Sequence, residues 1–223
     1  MTTQTLVQLR DLKLSGMATA LEQQLQQVDT FEALPFTERL SLLLEQEHLL
    51  RDNRKQLRLI RQARFRVSAT VQEIDYQQKR NLKRDVVARL AQGDWIERKQ
   101  NLLITGPCGS GKTYIACALG HNACIREHSV RYFRLSRLLL ELTQAKADGS
   151  YTKLLKLLSR THVLILDDWG LESLCSLFTA TTCLRFLMID MTPPLPSLSV
   201  SYHSISGMSV SVTTHWLTPF LTG

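Results

Sequence analysis

Eight consecutive residues, Gly106, Pro107, Cys108, Gly109, Ser110, Gly111, Lys112 and Thr113, follow the pattern GxxxxGK[ST] at every fixed position. Each residue type has a chemical reason. Glycines let backbone N–H groups approach phosphate oxygens closely, and a helix that starts directly after them adds positive potential. Lys112 is expected to reach β and γ phosphates, and Thr113 to offer its hydroxyl to Mg²⁺. Cys108 reads as a tolerated small residue of the loop rather than as a reactive thiol.

Such a loop needs an acidic partner at the end of a neighbouring strand. Asp167 follows the apolar run Val163-Leu164-Ile165-Leu166 and is expected to hold Mg²⁺ through its water shell. Asp168, next along, is expected to polarise the water that attacks the γ phosphate. Two aspartates after a strand could also cap a helix. The glycine loop upstream favours the nucleotide reading, for ATP or GTP.

The surrounding pattern supplies the elements that would position these groups. Leu102-Leu103-Ile104 reads as a buried strand, Tyr114 to Arg126 as a helix and Val130 to Phe133 as a second strand. A helix from Leu135 to Ala147 ends at Gly149, the stretch TKLLKLLSR is helical, and VLILDDWG is a third strand. Strand and helix alternate in the rhythm of a parallel α/β sheet. Upstream, Val67 to Gln100 reads as a short linker and a helix ending near Gly93.

From Gln4 to about Arg66 the periodicity is helical. Two short helices are expected to meet at a turn at Ser15-Gly16. A long helix follows Pro35, with Thr37 as its cap. Its second half is basic: Arg51, Arg54, Arg58 and Arg61 recur at steps of three and four and so line one face, with Lys55, Arg64 and Arg66 close by. A solvated helix face would give the same pattern. A phosphate backbone would also meet it well, because each contact releases condensed counterions. Double-stranded DNA is therefore an expected partner.

Composition bounds the alternatives. The 223 residues are 44% hydrophobic, enough for a buried core, and 27 Lys and Arg against 20 Asp and Glu leave a formal charge of +7. Five cysteines without CxxC or Cys/His spacing argue for neither a disulfide framework nor a zinc site. The amino terminus lacks the apolar core of a signal peptide, and no run of about 18 apolar residues could span a membrane. A cytoplasmic protein is expected.

LRDLKLSGMATAL near the start, the basic helix, GPCGSGKTYIACALG and VLILDDWGLE, in this order, resemble the insertion-sequence transposition helper ATPases called IstB-like, relatives of the DnaC helicase loaders within the AAA+ class. The resemblance spans about Leu9 to Glu172. It implies a P-loop AAA+ fold, an α/β parallel sheet with helices on both faces, preceded by a small all-helical domain. It further implies ATP and Mg²⁺ as cofactors, a homo-oligomer assembled on DNA, and delivery of that DNA to a transposase. Lys112 and Thr113 would bind nucleotide and metal, Asp167 would support the metal, and Asp168 would take the catalytic acidic position. A helicase-loader-like adaptor and an inactive remnant are the competing readings.

After Leu174 the sequence departs from that pattern. From Cys175 to Gly223 the charged residues are only Arg185 and Asp190, and serine, threonine and proline dominate. A shift of reading frame between Leu174 and Thr182 would account for the change, and so would a genuinely divergent, flexible tail. The short alternating stretch Ser197 to Ser201 can form a strand. The expected organisation is a helical domain over 1–66, an ATP-binding core over 67–174 and an atypical tail over 175–223. The sheet should be incomplete, and hydrolysis impaired by the loss of the arginine finger that relatives supply.

Overall fold

A computed structural model describes residues 2–77, 82–169, 197–203 and 209–213. The chain forms two compact units, Met1–Arg58 and Leu59–Gly223.

The first unit contains α1 (Thr2–Asp11), α2 (Ser15–Gln26), α3 (Val28–Phe31) and the first part of α4 (Phe36–Ala63). The turn between α1 and α2 falls at residues 12–14 and not at Ser15-Gly16. Lys13 takes a left-handed φ of 60°, and the Leu14 N–H closes back on the Leu9 carbonyl at 2.8 Å. Gly16 therefore lies in the first turn of α2, where its missing side chain matters: a Cβ there would sit 2.7 Å from both the Gln46 carbonyl oxygen and Glu47 Cα. Backbone meets backbone at this crossing of α2 and α4.

Glu47, 5% exposed, uses that proximity. Its carboxylate accepts the N–H groups of Gly16 at 2.7 Å and Met17 at 3.3 Å, donors of α2's first turn that lack a partner inside the helix. Arg51 donates to it at 2.6 Å. Burial pushes the Glu47 carboxyl up, but Arg51 and the two N–H groups outweigh it and hold the group below the ordinary carboxylate value. Thr37 is not the cap of α4: the helix begins at Phe36, and the Pro35 carbonyl already accepts from Glu38 and Arg39. Proline fixes the entry to the helix.

The second unit is built on a sheet of five strands in the order β2-β3-β4-β1-β5, comprising β1 (Asn101–Gly106), β2 (Val130–Arg134), β3 (Val163–Trp169), β4 (Ser197–His203) and β5 (Ser209–Thr213). The pairs β2·β3, β3·β4 and β4·β1 are parallel, whereas β5 runs antiparallel to β1. Among the described residues the parallel part of the sheet has four strands. Its strand β4 comes from the serine-rich tail, over the stretch that alternates in sequence.

Helices α5 (Arg84–Ala91), α6 (Asp94–Glu97), α7 (Lys112–Ile125), α8 (Leu135–Asp148) and α9 (Tyr151–Ser159) complete the described elements. Strand β3 explains its own composition. Val163 and Ile165 face a core with Ile115, Ala116 and Leu119 of α7 and with Leu59 and Ala63 of α4. Leu164 and Leu166 face a second core with Leu138 and Leu142 of α8 and Leu158 of α9. A strand covered on both faces must be apolar at successive positions, so its sequence is a continuous run. Gly120 lets α7 lie close against it, since a Cβ there would meet Ile165 Cδ1 at 2.7 Å and Phe65 Cε1 at 2.8 Å.

Gly16→Ala is expected to lower stability by about 1–3 kcal/mol, because its new methyl group meets backbone that cannot rotate away. Chemical denaturation of the full chain, followed by circular dichroism, checks this. An unchanged midpoint would contradict the close crossing.

Candidate nucleotide-binding site

The glycine loop runs from the end of β1 into the first turn of α7. Gly109 and Gly111 have φ of 77° and 91°, in the left-handed region where a side chain is strained. Gly111 is also the residue that precedes the helix. The loop can therefore turn tightly and present N–H groups at the positive end of α7. Pro107, Cys108 and Ser110 fill the remaining loop positions, with Cys108 exposed.

Lys112 is 5% exposed, and its ammonium donates to the Pro107 carbonyl at 2.8 Å. Among the described residues no carboxylate lies within ion-pair distance of it. A buried cation whose partner among the described residues is a loop carbonyl is poorly compensated, and an anion in the loop would complete it.

Thr113, one residue on, donates from Oγ1 to Asp167 Oδ2 at 2.8 Å. Alternation along β3 explains the meeting. Asp167 continues the odd-numbered face of Val163 and Ile165, the face against α7. Strands β1 and β3 are both parallel to β4, with Leu103 and Leu166 each opposite Val200, so the loop and the aspartates emerge at the same, carboxyl end of the sheet. A hydroxyl beside a carboxylate that is 1% exposed is a hard-oxygen donor set, suited to Mg²⁺.

Asp168 is placed differently. Between Leu166 and Trp169 the register with β4 shifts, and Asp168 has a left-handed φ of 60°. This bulge interrupts the alternation at the site, as bulges beside active sites commonly do. The Asp168 carboxylate meets Arg66 Nη1 at 3.5 Å and Arg134 Nε at 3.4 Å. Arg66 also lies 3.9 Å from Asp167 Oδ2. It thus belongs to the acidic pair and not to the basic stripe with which its sequence position groups it.

A further member is Tyr132, on β2 and 9% exposed, whose hydroxyl donates to Asp167 Oδ2 at 2.7 Å. Burial, and then the neighbouring Asp167, hold its phenol above the ordinary value. Burial works against the Arg66 charge, but Tyr132 and the two aspartates outweigh it and raise its pKa. Sequence reasoning singled out neither Tyr132 nor Arg134. A tyrosine in a short strand carries no local signal of the carboxylate on the next strand.

Arg51, Arg54, Lys55 and Arg58 are exposed on α4 within the first unit, Arg61 is exposed in its last turn, and Arg64 follows it with φ of 55°. Arg51 is engaged by Glu47 and so is part of that unit's internal packing.

A glycine loop after β1, an acidic pair at the end of β3, and a strand between β1 and β3 define a P-loop nucleoside triphosphatase fold. The chain belongs to the family of IstB-like ATP-binding proteins, whose model matches residues 7–188. The match reaches past residue 174 into the stretch where composition changes, and its last part, 175–188, lies outside the described residues. An ATP-binding protein of insertion sequence IS1162 from Pseudomonas fluorescens is 47% identical over 175 residues, covering 78% of this chain and 75% of that relative. An insertion-sequence ATP-binding protein of Sinorhizobium fredii is 43% identical over 170 residues, covering 76% and 69%. Among solved structures, the DnaC helicase loader is similar with a TM-score of 0.53 and 21% identity, over 61% of this chain and 77% of that one, a likeness of fold. No helix among the described residues is long and apolar enough to cross a membrane.

The described cysteines should differ in reactivity. Burial pushes the Cys117 thiol up and that of Cys124 up to about 12, whereas Cys108 is exposed in the loop. At pH 7.5, iodoacetamide followed by peptide mapping is expected to modify Cys108 well before Cys117 or Cys124. ATP with Mg²⁺ should slow modification of Cys108 alone among the three.

Proposed function

We propose that this protein is an ATP-dependent, DNA-binding transposition helper, acting in the cytoplasm, that assembles on target DNA and delivers it to the transposase of its insertion sequence. The observation that carries the nucleotide part is the buried Lys112, held by a carbonyl of the loop it belongs to. Family membership and the insertion-sequence relatives support the setting.

In this reading the N–H groups of residues 106–113 and the start of α7 bind the phosphates. Lys112 exchanges the Pro107 carbonyl for phosphate oxygens. Thr113 and Asp167 hold Mg²⁺, which when bound neutralises charge on the phosphates. Asp168 orients and polarises a water whose oxygen bonds to the γ phosphorus, while the bond from that phosphorus to the β–γ bridging oxygen breaks. Arg66 and Arg134 already engage the Asp168 carboxylate at 3.5 and 3.4 Å, so it must give up a contact to orient water, and hydrolysis by the isolated chain is expected to be slow. The exposed residues Arg54, Lys55, Arg58 and Arg61 of α4, with Arg64 just after it, supply the phosphate-backbone contacts, and Arg51 is secondary because Glu47 engages it.

Fluorescent ATP-analogue binding tests the first part. Lys112→Ala is expected to weaken affinity by at least about tenfold, equivalent to about 1.4 kcal/mol. Asp168→Asn should keep binding and lose turnover. Wild-type protein that is folded and binds no nucleotide would overturn the reading.

For DNA, replacing Arg54, Arg58 and Arg61 together by alanine should reduce the slope of log affinity against log salt by about 2–3. An unchanged slope would remove the stripe from the interface. Pull-down of the cognate transposase, set against a replicative helicase, separates the helper from a helicase-loading adaptor.

A further inference from the structure

Two donors from different elements converge on one oxygen of a carboxylate withdrawn from water. Thr113 Oγ1 reaches Asp167 Oδ2 from α7 at 2.8 Å, and Tyr132 Oη reaches the same atom from β2 at 2.7 Å. Tyr132 lies opposite Ile165 in the parallel pair of β2 and β3, so its side chain shares the α7 face with Asp167 two residues further on. The ring packs in the core formed by Ile115, Cys117 and Ile165, and the hydroxyl ends at the acidic pair. A carboxylate oxygen can only accept, so the one proton of the phenol is directed at Asp167.

We propose that Tyr132 is a positioning residue of the metal site: its hydroxyl holds the Asp167 carboxylate in the orientation in which Asp167 and Thr113 together address Mg²⁺. A carboxylate turns easily about its last bond. A second hydroxyl donor on the oxygen that Thr113 already meets, carried by a ring locked in the core, restricts that rotation and helps to set the plane. Tyr132 touches neither nucleotide nor water in this role and acts through Asp167. A tyrosine that only filled the core would be replaced by phenylalanine without consequence at the loop.

This rests on the P-loop reading above, and its test separates the two. Binding of a fluorescent ATP analogue is measured for wild type and Tyr132→Phe, with Mg²⁺ and with EDTA. Mn²⁺ affinity at saturating nucleotide is read by electron paramagnetic resonance, and thermal midpoints are recorded by circular dichroism.

The expected result is a folded Tyr132→Phe protein with unchanged affinity in EDTA. Its Mn²⁺ affinity should fall about tenfold or more, as for loss of a group that orients a metal ligand. In an Asp167→Ala background the same change should have no further effect on Mn²⁺, because the carboxylate it orients is gone. Equal Mn²⁺ affinity in wild type and Tyr132→Phe overturns the proposal and leaves the nucleotide reading standing. An equal loss in EDTA and in Mg²⁺, or an undiminished effect in the Asp167→Ala background, makes the role structural and also overturns it. Absence of nucleotide binding by folded wild type overturns both.

Discussion

A carboxylate at the end of a strand and almost wholly removed from water must be met by donors, and here Asp167 is met by a hydroxyl from α7 and another from β2. Much of the second unit serves that meeting. Leucines and isoleucines on both faces of β3 fix its height in the sheet, Gly120 lets α7 come close, and the parity of the strand turns residue 167 toward the helix. The glycine loop then needs only to begin α7 at Lys112 for Thr113 to arrive beside the aspartate.

Two neighbouring aspartates would repel if left alone in such a place. The bulge at the end of β3 and the left-handed backbone of Asp168 break the strand's regular alternation, and Arg66 and Arg134 gather around Asp168. Charge balance at the site is therefore provided by residues that come from a loop after α4 and from the end of β2. The arrangement also divides the arginines by task. Arg66 faces acid within the protein, whereas Arg54, Arg58 and Arg61 remain on the exposed face of α4.

The tail contributes in an unexpected manner. Ser197–His203 pairs in parallel with both β1 and β3, so a serine-rich segment runs through the middle of the sheet. Strand pairing is made by the backbone, and alternation of small polar with apolar residues suffices for it. The next strand reverses, and parallel pairing ends at β1.

The sequence by itself determined the local chemistry: a loop rich in glycine before a lysine, an apolar run ending in two aspartates, and a helix lined with arginine. These are legible because each depends on residues close in the chain, through backbone conformation and the periods of helix and strand. The α1–α2 turn and the start of α4 were displaced by a few residues, since backbone closure at Lys13 and the fixed geometry of Pro35 outweighed the cues of Ser15-Gly16 and Thr37. Only the tertiary structure decided that Tyr132 joins Asp167, that Arg66 leaves the basic stripe for the acidic pair, and that Arg51 is engaged by Glu47. The Tyr132 and Arg66 contacts join residues 35 and 102 positions apart. No local pattern encodes them, because they exist only once the strands have paired and the burial of a charge has selected which side chains must answer it.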